Sequence, residues 1–437
     1  MKTLTLLNSL FNSAFLMTIL MGIASISSAQ EGLWLTKTNM PTTRGFLSGT
    51  VLGDKIYIVG GSATQNTTTS VTEMYDPGND SWTAIDSMPE GRCNPAVCAY
   101  DGRIYLFGGA STSLYSSGMK NVYVYDPQTN SWSEKADMPY ANSGCGIAVL
   151  NDIIYLIGGG LSVGSSPFSN LMAYDPATDT WLEKEPMPTA RFCPSACVVD
   201  GKIYVIGGTT ESYNSIAYKL VEVYDPVTDT WTKKADMSTG RMGLGTCVID
   251  GKIYAVGGWR YGEVLTTNEM YDPDSDTWIS KIPMQQKRFL HFIGSVGNRI
   301  YAIGGAYPNP NNRSQAILLS SVEEFNPALD TDPTALIENN LDTSTSSFML
   351  CQNYPNPFYH ETLIKYVLSK PASVVLQIIN VLGQEVHRLE DEDKPAGSYE
   401  VTWDGKNKCG QQMLNGIYFC KLIINNECSE TMKLIMQ

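Results

Sequence analysis

The sequence predicts an all-β protein: a propeller built from six repeats, followed by a small β-sandwich. Two observations carry the propeller. A short apolar strand ending in a glycine doublet recurs at Lys55–Gly61, Arg103–Gly109, Ile153–Gly159, Lys202–Gly208, Lys252–Gly258 and Arg299–Gly305. In every copy a tyrosine stands three residues before the first glycine (Tyr57, Tyr105, Tyr155, Tyr204, Tyr254 and Tyr301). The first glycines fall at 60, 108, 158, 207, 257 and 304, so the steps are 48, 50, 49, 50 and 47 residues. A fixed period near 50 residues marks a propeller or an array. A third observation carries the sandwich. The repeat stops near residue 327, and short alternating strands fill 348–437.

Taken in order, the chain opens with a targeting segment over 1–29. Lys2 supplies the charge, Phe15–Ala24 is an apolar run too short to span a bilayer comfortably, and Ser27-Ser28-Ala29 offers a cleavage site. These features predict export and a mature chain without a transmembrane segment. The propeller domain is expected over 30–327.

Residues Arg191 to Met237 illustrate one unit. Arg191–Val199 reads as a first strand, and Asp200-Gly201 is a two-residue hairpin signal. Lys202–Gly208 is the second strand, and Thr209–Lys219 is a polar loop. Leu220–Tyr224 is a third strand stopped by Asp225-Pro226, and Trp231–Ala235 is the fourth. Four short antiparallel strands per repeat make one blade. The same punctuation recurs: Tyr-Asp-Pro at 75–77, 125–127, 174–176, 224–226 and 271–273, followed by Trp82, Trp132, Trp181, Trp231 and Trp278. The last repeat has Phe325-Asn326-Pro327 and no tryptophan after it. Trp34 to Met40-Pro41 matches the missing piece, so the N-terminal strand is expected to complete the last blade and remove free sheet edges.

The Gly-Gly, Tyr-Asp-Pro, Trp and Met-Pro-x-x-Arg positions resemble the kelch repeat family over residues 33–327. The resemblance implies a six-bladed propeller. Asn142 stands where the other repeats carry arginine. Residues 328–347 read as a polar linker. Beyond it, strands are expected at Thr362–Leu368, Val374–Val381, Gln384–Leu389, Gly397–Trp403 and Ile417–Ile424. Gln352–Phe358, Ile378–Val386, Ala396–Gly405 and Asn415–Phe419 resemble the C-terminal sorting domain of the type IX secretion system. They are also similar to the immunoglobulin-like domain of the flagellar hook-capping protein. The resemblance implies an Ig-like β-sandwich over 348–437, engagement of the type IX machinery, and release or attachment at the cell surface.

A formal net charge of −14 makes nucleic acid and anionic membrane poor partners. Cys98, Cys197 and Cys247 share one repeat position with Thr50, Ala148 and Gly294, which reads as a small core site. Cys93, Cys145 and Cys193 lie near repeat starts without C-x-x-C spacing and read as free structural thiols.

The second strand ends at Gly-Gly, the fourth at Met-Pro, and the first follows the arginine. The long loops 62–70, 110–121, 160–170, 209–219, 259–268 and 306–320 therefore share a face with Arg44, Arg92, Arg191, Arg241 and Arg288. Variable loops on one rim are where repeat proteins bind. The arginines are candidates for an anion-binding ring, with a structural role in pairing carboxylates as the simpler reading. Trp259, Arg260 and Tyr261 interrupt the loop pattern and, with Tyr115, Phe168, Tyr213, Tyr218 and Tyr307, are candidates to stack on sugar or grip protein. The Tyr-Asp-Pro-x-x-Asp turns lack the spacing of a calcium loop, so no metal or cofactor is expected. Of three histidines only His291 lies in the propeller, where it is the single acid/base candidate. A secreted or cell-surface module for glycan or protein follows. The alternative is a metal-independent sugar-processing enzyme such as a sialic-acid mutarotase.

Overall fold

The computed structural model describes residues 34–437 apart from 65–66, 113–116, 163–164, 211–216, 310–311, 330–347, 351–352, 354–357, 359, 369, 427 and 437. The targeting segment, most of the linker and most of Gln352–Phe358 lie outside the described residues. So do Tyr115 and Tyr213. The chain divides into two compact units, Met1–Pro327 and Ala328–Gln437.

The first unit holds six four-stranded antiparallel sheets among the described residues. In the first, Ser48–Leu52, Lys55–Val59, Thr72–Asp76 and Ser81–Ile85 run side by side in chain order. The next four repeat that meander. The sixth is built from Phe292–Val296, Arg299–Ile303, Val322–Phe325 and the N-terminal Leu35–Lys37. Leu35 pairs with Glu324 and Lys37 with Val322, the closure that Trp34 signals. Each inner strand touches the inner strand of the next sheet, and the sixth touches the first, so the ring is closed. A cavity of about 480 Å³ runs along the axis, lined by all six inner strands.

Six apolar cores fill the spaces between neighbouring sheets. This packing explains one departure from the sequence pattern. The second strands are not half-buried alternating strands, because both faces meet a neighbouring blade. Ile56, Tyr57, Ile58 and Val59 are all buried. The first strands also start later than expected: Ser195–Val199 begins four residues after Arg191. The intervening residues cross between blades.

The glycine doublets sit at those crossings. Gly60 has φ +63° and Gly61 φ +104°. A Cβ on Gly60 would fall 2.6 Å from the carbonyl oxygen of Arg92 in the next blade. The Gly61 N–H donates to that same carbonyl at 2.9 Å. Both the conformation and the close approach exclude a side chain.

The second unit is a two-sheet sandwich. Phe348–Leu350, Thr362–Leu368 and Gly397–Trp403 form one sheet. Ala372–Asn380, Glu385–Lys394, Gly416–Ile424 and Cys428–Met436 form the other. Trp403, Ile364, Tyr366 and Leu376 are fully buried between them. The closing strand Cys428–Met436 was not anticipated.

Candidate functional site

Each Met-Pro-x-x-Arg segment enters its blade from the loop face, and its arginine turns inward. The rim position expected for Arg44, Arg92, Arg191, Arg241 and Arg288 is therefore corrected: all five are at 0% exposure. Arg44 donates from Nη1 to the carbonyls of Gly60 and Val71, each at 2.7 Å, and from Nη2 to Glu73 at 2.8 Å. Arg191 pairs with Glu222 at 2.6 Å, Arg241 with Glu269 at 2.6 Å and Arg288 with Glu323 at 2.5 Å. The physical reason is local. A guanidinium tucked under the Gly-Gly corner satisfies the carbonyl of the first glycine, which the positive-φ turn points away from the strand ladder, and shares the Val71 carbonyl with the Gly60 N–H.

The carboxylates were missed at the sequence level. Their signal is a glutamate two residues before the tyrosine of each Tyr-Asp-Pro, or before Phe325. Two repeats lack it, and both change the arginine contact. Tyr123 stands there in the second blade, with the Arg92 guanidinium 5.0 Å from its ring centroid. Met172 stands there in the third, and Asn142 replaces the arginine. Its Nδ2 donates to the Gly158 carbonyl at 2.9 Å, the contact an arginine makes elsewhere. Burial pulls the Arg241 guanidinium down to about 10 against the pull of Glu269, so it stays charged at neutral pH.

Two residues past each arginine position, the backbone turns left-handed. Phe46, Asn94, Gly144, Cys193, Gly243 and Leu290 have φ of 55°, 48°, 63°, 50°, 58° and 47°. The N–H of each donates to the carbonyl of the preceding one around the axis: Asn94 to Phe46 at 2.8 Å, Gly144 to Asn94 at 3.1 Å, Cys193 to Gly144 at 2.9 Å, Gly243 to Cys193 at 3.1 Å, Leu290 to Gly243 at 2.8 Å and Phe46 to Leu290 at 3.1 Å. A closed belt of six hydrogen bonds thus joins the blades at the loop-face end of the inner strands. Above it, Phe46, Cys93, Phe192, Met242, Trp259 and Phe289 pack into one apolar cluster. The cluster thus joins the first, second, fourth, fifth and sixth blades beside the belt, on the face where the arginines were candidates for an anion-binding ring.

Trp259 belongs to that cluster at 4% exposure, so its expected place on the binding surface is also corrected. It anchors a hairpin of Trp259–Arg260 against Glu263–Val264. The tip presents exposed Arg260 and Tyr261, the latter at 59% exposure, with the guanidinium 5.2 Å from the tyrosine ring. Phe168 and Tyr307 are half-buried, against Tyr140 and under Lys287 respectively, and Tyr218 is half-buried too.

The Tyr-Asp-Pro-x-x-Asp turns are joints between blades. The Tyr224 hydroxyl donates to Asp229 at 2.6 Å, and that oxygen also accepts from the Glu185 N–H of the preceding blade. The Trp231 indole returns a bond to the Glu185 carbonyl at 2.8 Å. The tyrosine hydroxyl holds the Asp229 carboxyl below its usual range. Among the described residues no group of three or more His, Cys, Asp or Glu side chains is placed to hold a metal ion. Cys93, Cys98, Cys145, Cys193, Cys197, Cys247, Cys409 and Cys420 carry free thiols. Burial pushes the Cys93 thiol up to about 11, which makes it a weak nucleophile. His291, the acid/base candidate, is buried at the seam between two blades, and it is among the residues that line the axial cavity.

Comparisons with known proteins agree with this architecture. Residues 360–423 match the FlgD Ig-like domain. Beta-scruin of Limulus polyphemus is 33% identical over 79 residues, 18% of this chain and only 9% of the scruin. Kelch-like protein terF of Aspergillus terreus is 37% identical over 84 residues, 18% of each chain. Among solved structures, that of YjhT superposes with a TM-score of 0.57 at 19% identity, covering 66% of this chain and 96% of the other, a likeness of fold. The model of the Attractin/LZTR1 beta-propeller matches residues 28–267, more than half of the sequence. The first unit is a kelch-type propeller, and the chain belongs to the Attractin/LZTR1 beta-propeller family.

Proposed function

We propose that this chain is an exported interaction module whose propeller grips a protein partner through the loop face. The observation that carries the reading is the hairpin over 259–264. Its base is locked into the axial apolar cluster by Trp259, and its tip offers an arginine and a tyrosine to solvent. Those two residue types dominate binding energy at protein interfaces, and a rigid mount lowers the entropy lost on binding. A glycan is the other ligand class that a solvent-facing tyrosine ring suits. The sugar-processing alternative has no support in the site, because the arginines it needs are all buried, four of them in ion pairs, and His291 is buried too. The kelch-type fold is compatible with many functions, so the site and not the fold bears the argument.

The targeting segment over 1–29, with its apolar run Phe15–Ala24, and the resemblance of 348–437 to a type IX sorting domain support a location outside the cell or on its surface. The C-terminal domain then serves as the address read by the type IX machinery.

The test compares the full chain with an Arg260→Glu/Tyr261→Ala variant and a Val227→Asp control. Val227 is 88% exposed at an Asp-Pro turn on the opposite face. All three are screened against a panel of secreted and surface proteins and a glycan array. Binding lost only in the hairpin variant supports the loop-face reading, and the panel that scores identifies the ligand class. Binding lost only in the Val227 variant, or unchanged in both, overturns it.

A further inference from the structure

His291 stands three residues after Arg288. Leu47, Pro95, Cys145, Pro194 and Leu244 hold that place in the other repeats. Its side chain is buried, at 7% exposure, and neither Nδ1 nor Nε2 has a hydrogen-bond partner. Its Cε1 lies 2.6 Å from where a Cβ on Gly257 would stand, and its own Cβ lies 2.6 Å from where a Cβ on Gly305 would stand. The imidazole is thus wedged between the glycine doublets of the fifth and sixth blades. Leu244 fills the same position against Gly207 with no polar atom to satisfy.

The neighbourhood offers a proton nothing to bind. The charged groups facing the ring are Arg288 from its own segment and Arg241 from the fifth blade, both cations. Their carboxylates are committed. Glu323 accepts from Arg288 and from the N–H groups of Gln285 and Gln286. Glu269 accepts from Arg241 and from Ser238. Burial first, then the two guanidinium groups, hold the imidazole well below its ordinary 6.5.

We propose that His291 makes the seam between the fifth and sixth blades an acid-sensitive joint, which parts when the buried imidazole takes up a proton. Protonation would place a third cation in the seam, with two N–H donors and no acceptor. Although His291 borders the axial cavity, both ring nitrogens are buried, so water relieves that arrangement only if the packing at the seam opens. The direction follows from linkage. The opened seam binds a proton near pH 6.5 and the closed one does not, so closure loses stability as pH falls below about 6.5. The bonds at stake are those that hold the seam: Gly258 N–H to the Arg288 carbonyl at 2.9 Å, and Leu290 N–H to the Gly243 carbonyl at 2.8 Å. The sixth blade is also where the N-terminal strand closes the ring.

Amide hydrogen exchange on the full chain, corrected for intrinsic rates, tests the joint. Between about pH 7.5 and about pH 5, the amides of Gly258 and Leu290 should lose protection at least about tenfold relative to those of Gly159 and Cys193, which bond across the seam between the third and fourth blades. In His291→Leu, which installs the residue of two other blades, that loss should vanish. In Leu244→His, a matching loss should appear at Gly208 and Gly243, which bond across the seam between the fourth and fifth blades. Equal acid response of the seam in wild type and His291→Leu overturns the proposal, as does a seam that keeps its protection in acid. The local readout separates His291 from His360 and His387, which lie in the second unit.

Discussion

At the scale of single residues, the buried arginine is matched to what faces it: a glutamate in four blades and the Tyr123 ring in the second. Four blades pair arginine with glutamate, and the third drops both for Asn142 and Met172. Losing one partner alone strands a charge in an apolar setting. Glu269→Met should therefore destabilise the propeller by about 3–5 kcal/mol. The double variant Arg241→Asn/Glu269→Met copies the third blade and should recover much of that loss. Denaturant midpoints of the two single variants and the double close the cycle, and strict additivity would show that the pair does not act as a unit. The five arginines were visible in the sequence, but their direction was not. Spacing marks a residue as repeated. Whether it points at solvent or at a glutamate some thirty residues on depends on how the strands pair.

At the scale of elements, local chemistry was readable because it is local. Asp200-Gly201 and Asp101-Gly102 turn with φ of 49°, 70°, 47° and 70°, the left-handed pairs that two-residue hairpins need. The strands Thr362–Leu368 and Gly397–Trp403 fall at their expected bounds. Closure by the N-terminal strand was also legible, because Trp34 repeats the tryptophan that the last repeat lacks. Trp34 is fully buried, stacks on Phe325 at 5.1 Å and donates to the Ile282 carbonyl at 3.0 Å. Trp34→Ala should cost about 3–5 kcal/mol, and urea unfolding monitored by circular dichroism would measure it. A loss below about 1 kcal/mol would mean that the strand is not needed to hold the ring. Less was legible where the chain leaves regular structure. The crossings after each arginine read as strand, yet they carry the left-handed residues of the axial belt. Phe46 and Leu290 give no sequence hint of positive φ, since bulky residues rarely adopt it.

At the scale of the whole molecule, the two units rest on separate cores. The propeller is held by six inter-blade clusters in a ring, the sandwich by one centred on Trp403. Guanidinium unfolding of the full chain should accordingly show two transitions, and residues 348–437 expressed alone should reproduce one of them. A single transition that the isolated domain fails to match would mean that the sandwich depends on the propeller.

The sequence by itself determined the repeat, the four strands of each blade, the closure and the β-rich second domain. Each of these is written in residues close together along the chain or in a motif repeated at a fixed step. Only the tertiary structure decided that the arginines are internal, that apolar side chains from several blades cluster beside the belt, and that His291 stands without a hydrogen-bond partner. Those outcomes depend on groups far apart in sequence coming within a few ångströms, as Phe46 does with Leu290, and on how completely they exclude water once there.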